Sequence, residues 1–122
     1  MKNKESAINF LNKVVEGKID EAYEKYVNTK GMHHSMYFAS GFPALKKAMK
    51  ESHEKQPNKQ FIIKHALEDG DMVAVHSHII FNPKEPGMAV VHLFRFKNGR
   101  IIEFWDLGQE ISTDSPNHDG MF

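Results

Sequence analysis

The spacing of apolar residues changes near residue 58, and this change constrains the fold more than any other feature of the chain. Before that point apolar residues recur every three or four positions, which is typical of amphipathic helices. After it they alternate with polar residues, which is typical of strands. The pattern therefore predicts about three helices followed by an antiparallel meander of about four strands, that is, an α+β domain.

Turn residues set the bounds of these predicted elements. Gly17, the segment 28–31 and Pro57 are expected to end the three helices. Asn98-Gly99 is a strong short hairpin signal, and Asp69-Gly70 marks another tight turn. The strands are expected over 59–68, 72–81, 88–96 and 101–111.

Composition limits the possible functions. The 122 residues suffice for one domain over 1–122, with a polar tail over 113–122 that ends in Met121-Phe122. Sixteen basic residues balance sixteen acidic ones, which argues against nucleic acid as a partner. Cysteine is absent, so a thiolate nucleophile is excluded. Neither a signal peptide nor a membrane span is visible, and we expect a cytoplasmic protein with no membrane partner.

Alternation along the strands sorts their residues into two faces. His92 is expected to share a face with Phe94, and Asp106 to share a face with Ile102 and Phe104. One bulge would exchange the two faces downstream of it. These faces define the candidates for a pocket wall.

Asp106 is the main candidate for chemistry. It lies in the strand segment 101–107, which is apolar apart from Glu103, and a carboxylate is rarely buried without a partner. An apolar pocket favours the protonated form of a carboxyl group, which suits proton exchange with a carbon acid or a carbonyl near neutral pH. The alternative is a hydrogen-bonded or solvent-facing structural aspartate.

Histidines supply the other candidates. His92 could be a pocket acid or base, or a core histidine without a chemical role. His76 and His78 project to one strand face at a spacing that can hold a metal ion, although such a pair also arises by chance among eight histidines. The candidate substrate-binding residues are His34, His78, Phe94, Phe104 and Trp105.

Two segments carry a family resemblance. Residues 69–78 and 89–106, the latter containing F-R-F-K-N-G-R-I-I-E-F-W-D, resemble the SnoaL-like polyketide cyclase family. The ending Gly120-Met121-Phe122 is similar to that of a branch described as SnoaL-like aldol-condensation enzymes. The resemblance implies an NTF2-like, cone-shaped, curved antiparallel sheet packed on about three N-terminal helices. It also implies an enclosed apolar pocket and a homodimer.

The same resemblance implies a chemistry. Family cyclases close a ring by intramolecular aldol condensation, with an aspartate acid/base, a nearby histidine and neither metal nor cofactor. By motif position Asp106 would be the acid/base and His92 or His76 its helper. We therefore expect a cofactor-independent cyclase, aldol-condensation enzyme or isomerase that acts on an apolar, ketone-like small molecule. The alternatives are a non-catalytic NTF2-like ligand-binding or dimerisation domain and a His-ligated metal protein. The tail is expected to fold back over its own pocket or a partner's.

Overall fold

Three helices cover one face of a five-stranded sheet in the computed structural model, which describes residues 1–122. The helices are α1 (Asn3–Val15), α2 (Ile19–Tyr26) and α3 (Phe42–Lys55). The strands are β1 (Val27–His33), β2 (Gln60–Asp69), β3 (Met72–Ile80), β4 (Met88–Lys97) and β5 (Arg100–Glu110). The predicted α+β class, with three helices packed on a curved sheet, is confirmed. None of the helices is long and apolar enough to cross a membrane.

The sheet order is β1-β5-β4-β3-β2, with antiparallel pairing throughout β2 to β5. Both predicted hairpin turns are confirmed. In the second, Asn98 and Gly99 both have positive φ (52° and 77°), the conformation that a two-residue hairpin of the right twist requires.

Strand β1 is the element that the sequence pattern does not predict. Residues 28–31 look like a helix-terminating loop, yet the chain from Val27 to His33 pairs in parallel with β5 and makes the sheet mixed. Only the two ends of β1 are buried, so no alternation marks it as a strand. Gly31 fits here because a Cβ atom would collide with the carbonyl oxygen of Ile102.

The core lies between the helices and the sheet face that they cover, here named the inner face. Phe10 of α1 packs edge-on against Tyr23 of α2 and Phe94 of β4, with ring centroids 5.5 and 6.0 Å apart. Val75 of β3 and Phe104 of β5 are buried beside them. The opposite, outer face has no helix against it.

A bulge in β5 decides which of its residues point inward. Arg95 pairs with Glu103, but Phe96 pairs with Ile101, so Ile102 is one residue in excess on β5. Ile101 and Phe104 are both buried as a result. The regular alternation expected along Ile102, Phe104 and Asp106 is therefore interrupted at Ile102.

Candidate functional site

A cavity of about 240 Å³ opens on the inner face, beyond the end of β1. Its walls come from β3, β4, β5 and the loop 34–41 that joins β1 to α3. Six of the nine lining residues are hydrophobic. The lining residues are Tyr37, Ile79, Phe81, Met88, Val90, His92, Asp106, Leu107 and Gly108.

His92 and Asp106 lie directly opposite each other in this cavity. They are register partners on the antiparallel strands β4 and β5, and both line the cavity. Side chains at such positions project to the same face with Cβ atoms about 5 Å apart. The β5 bulge and the pleat of β4 thus bring one carboxyl group and one imidazole together, and they identify His92 as the histidine that faces Asp106.

Phenylalanine rings surround the imidazole of His92. It stacks on Phe104 with a centroid distance of 5.6 Å and lies 6.2 Å from Phe61 and 6.4 Å from Phe94. Its Nδ1 atom is buried without a hydrogen-bond partner. Burial lowers the pKa of His92 to about 4, against the opposing influence of the Asp106 charge. His92 is therefore neutral at pH 7.

Phe94 and Phe104 support the site rather than line it. Both side chains are fully buried behind His92 and belong to the hydrophobic core. Both lie on the inner face, but their rings are in the layer of the core behind the cavity wall and do not line the cavity.

Buried His33 holds the loop that carries Tyr37. The backbone N–H of Ser35 donates to Nδ1 of His33 (3.2 Å), which leaves Nε2 as the donor to the carbonyl of Ala39 (2.8 Å). The loop is thus tied at both ends to the last residue of β1. Tyr37 itself is largely exposed at the cavity mouth.

His34 and Trp105 lie away from the cavity, on the outer face. The two rings stack with centroids 5.0 Å apart, and Nε2 of His34 lies 2.6 Å from Oε2 of Glu103. Glu103 also accepts from Nε of Arg95 (3.2 Å). The hydrogen bond to His34 is the main reason that the pKa of Glu103 is lowered.

His76 and His78 also lie on the outer face. Nδ1 of His76 is 3.0 Å from Nδ1 of His65, and Nε2 of His78 donates to the carbonyl of Pro86 (2.7 Å). The two histidines thus turn toward different partners. Nowhere in the chain do three or more His, Asp or Glu side chains converge in a way that could hold a metal ion.

The C-terminal tail folds back onto the outer face. The ring of Phe122 lies 4.8 Å from that of His78 and 5.3 Å from that of His76. Met121 lines a shallow groove beside Val91. The tail therefore does not cover the cavity of its own chain.

Several cavity residues were not singled out from the sequence. Met88 and Val90 share the strand face of His92, and Gly108 shares that of Asp106, so strand alternation around these two residues could have found them. Tyr37 gives no such signal, because it sits in an irregular loop whose path depends on His33.

The architecture is that of an NTF2-like pocket protein. A protein provisionally described as a polyketide cyclase, from Acidithiobacillus ferrooxidans, superposes with a TM-score of 0.71 at 21% identity over 89% of each chain. IdmH from Streptomyces antibioticus, provisionally described in the same way, superposes at 0.69 with 15% identity over 89% of this chain and 93% of its own. An NTF2-like protein of unknown function from Burkholderia xenovorans reaches 0.74 at 15% identity, over 93% and 87%. At these identities the likeness defines the fold.

The chain belongs to the SnoaL-like family. The profile of the SnoaL-like domain matches residues 11–104, most of the chain. The matched region includes His92 and ends two residues before Asp106. No curated protein sequence matches this chain at a significant level.

Proposed function

We propose that this protein is a cofactor-independent enzyme that moves a proton at the carbon next to a ketone, as an aldol-condensation cyclase or an isomerase. The observation that carries the proposal is the placement of Asp106 opposite a neutral His92 in an apolar cavity. The carboxylate can accept the proton from the carbon. The N–H of the neutral imidazole can donate a hydrogen bond to the ketone oxygen, where negative charge develops. The SnoaL-like family and two similar structures described as polyketide cyclases support the reaction class.

In the proposed reaction the Asp106 carboxylate takes a proton from the α-carbon of the bound ketone. The electron pair of that C–H bond forms the enolate, and the N–H of His92 donates a hydrogen bond to the enolate oxygen. In a cyclase the enolate carbon then attacks a second carbonyl of the same molecule, and Asp106 returns its proton to the resulting alkoxide. In an isomerase Asp106 returns the proton to another carbon of the conjugated system. Either sequence balances without an external acid, base or electron carrier.

Proton exchange tests this proposal without knowledge of the natural substrate. Acetophenone in D₂O should lose the NMR signal of its methyl protons faster with the protein than without it. Asp106→Asn should lower the protein-dependent rate by roughly a hundredfold or more, because it removes the base. Glu103→Gln is the matched control, since this carboxyl group is on the same strand but faces His34 and Arg95 across the sheet. An unchanged rate in a folded Asp106→Asn variant would refute the assignment.

The alternative is a ligand-binding protein without chemistry, since a fold does not determine a reaction. In that case acetophenone or a related ketone would bind at the cavity, but its proton exchange would equal that of the protein-free solution. The same experiment therefore separates the two functions.

We also propose that the outer face pairs with a second copy of the chain. Met32 and Leu67 are each more than half exposed, and Leu93 and Trp105 are partly exposed between them. Contiguous exposed apolar surface of this kind marks association sites. A two-fold dimer would use the same patch on both copies.

A further inference from the structure

The cavity walls limit the size and the charge of the ligands that can bind. We propose that the site accepts uncharged ketones with one ring or a short chain, that Met88 and Gly108 set the size limit, and that Asp106 sets the charge limit. The ketone group rests on the proposed function. The size and charge limits rest on the cavity walls alone.

The size limit follows from the volume of the cavity. At about 240 Å³ it is smaller than the roughly 300–1,000 Å³ of pockets that hold drug-sized ligands. A single aromatic ring with a small substituent is compatible with such a space, whereas fused polycyclic compounds are too large for it. The cavity thus matches a one-ring ligand, although the fold is shared with proteins described as polyketide cyclases.

Met88 and Gly108 are neighbours in the cavity wall. A Cβ atom at Gly108 would lie 3.1 Å from Cε of Met88 and 3.3 Å from Cγ1 of Val90. Because residue 108 has no side chain, the space beside Cε of Met88 stays open. Gly108 has an ordinary φ, so alanine is compatible with the backbone there, but its methyl group would need small shifts of both Cε of Met88 and Cγ1 of Val90.

The charge limit follows from the polar groups of the cavity. Asp106, His92 and Tyr37 are the only titratable residues that line it, and no lysine or arginine does. The nearest arginine by strand register, Arg95, is on the outer face and is held by Asp71 and Glu103. Arg100 donates to the backbone carbonyls of Glu24 and Val27. Among the lining residues a carboxylate or phosphate ligand would thus meet Asp106 and no cation.

Repulsion by Asp106 should discriminate strongly against an anionic ligand. Two negative charges about 5 Å apart at an effective dielectric constant of about 20 repel enough to weaken binding roughly a hundredfold. An uncharged ligand escapes this repulsion and keeps the apolar contacts with Ile79, Phe81 and Val90.

Equilibrium binding to the folded protein, measured by isothermal calorimetry, tests both limits. The size series is acetophenone, 2-acetylnaphthalene and 2-acetylanthracene. The charge pair is 4-methylacetophenone and 4-acetylbenzoate, which have similar shapes. Wild type should bind acetophenone and 4-methylacetophenone, bind the two-ring ketone at least roughly tenfold more weakly, and show no binding of the three-ring ketone or of the anion.

The variants assign each limit to its residue. Met88→Ala should admit the two-ring ketone, and Gly108→Ala should weaken acetophenone itself. Asp106→Asn should bring 4-acetylbenzoate to within a few-fold of 4-methylacetophenone. Ile62→Ala, at a residue that is 43% exposed on the outer face, is the control and should change none of these affinities.

Three results would overturn the inference: equal binding of the anion and its uncharged partner by wild type, equal binding of the three-ring and one-ring ketones, or no saturable binding of any single-ring ketone at millimolar concentration. These results are separate from the fate of the proposed function. Selective binding without proton exchange would refute the proposed enzymatic function and support the size and charge limits. Proton exchange on the anionic ketone would support the enzymatic function and refute the charge limit.

Discussion

His92 and Asp106 occupy opposite positions on neighbouring antiparallel strands, and both face the apolar cavity. Three phenylalanine rings surround the imidazole and keep it neutral, while the carboxyl group supplies the only formal negative charge of the wall. The two groups thus differ in role although they are adjacent. This separation of a charged acceptor from an uncharged donor is the physical basis of the proposed proton transfer.

The burial of His92 should make stability depend on pH. Its pKa falls from 6.5 to about 4 on folding, so between these values the unfolded chain binds more protons than the folded protein. The free energy of unfolding should therefore be fully retained above pH 6.5 and should decline as the pH falls toward 4, by about 3 kcal/mol from this residue. Urea denaturation at pH steps from about 7 to about 4.5 measures the decline.

The matched variant for this experiment is His92→Phe, which keeps a ring against Phe104 and cannot titrate. Its decline in stability over the same pH range should be smaller than that of wild type. Identical pH profiles for the two proteins would show that His92 is not the group responsible.

His33 should control the cavity mouth through the loop 34–41. His33→Leu keeps the bulk but leaves the carbonyl of Ala39 and the N–H of Ser35 without their partner, at a cost of about 1–3 kcal/mol in stability. We expect faster proteolysis near Tyr37 and several-fold weaker binding of acetophenone. His118→Gln, at an exposed position in the tail, is the control. Unaltered proteolysis and affinity in His33→Leu would mean that the loop holds its position without the histidine.

The outer face should mediate self-association. Leu67 is 69% exposed, so Leu67→Glu should cost little stability in the single chain, while it places an unpaired charge in the apolar contact between the two copies. Sedimentation analysis should show a dimer for wild type and a monomer for the variant. Met36→Glu adds the same charge at a residue that is 83% exposed in the loop by the cavity, and it should remain dimeric. A monomeric wild-type protein, or two variants that behave alike, would contradict this interface.

The elements with regular periodicity were predictable from the sequence. The helical stripes and the glycine-containing turns predict all three helices and the four antiparallel strands, because each signal is local. Strand β1 was not predictable, because its middle is exposed and only Val27 and His33 are buried. Its pairing with β5 depends on the whole sheet rather than on its own residues.

The site was predictable in part. Alternation places His92 and Asp106 on definite faces, but only the register of β4 against β5 shows that they are opposite each other. His34, His76 and Trp105 could not be assigned to a side of the sheet relative to the cavity, since sequence parity gives two faces without saying which of them the helices cover. The structure places all three on the outer face.

The single extra residue at Ile102 has a consequence for how this strand can change. Deleting it would place Glu103 directly after Ile101, so regular alternation would keep Phe104 opposite Phe94 and Asp106 opposite His92 on the inner face. The strand can thus lose a residue at the bulge without moving the carboxyl group, whereas the loss of Trp105 would turn Asp106 to the outer face. When relatives are compared position by position, an alignment gap at Ile102 is therefore compatible with a carboxyl group inside the cavity, and a gap at Trp105 is not.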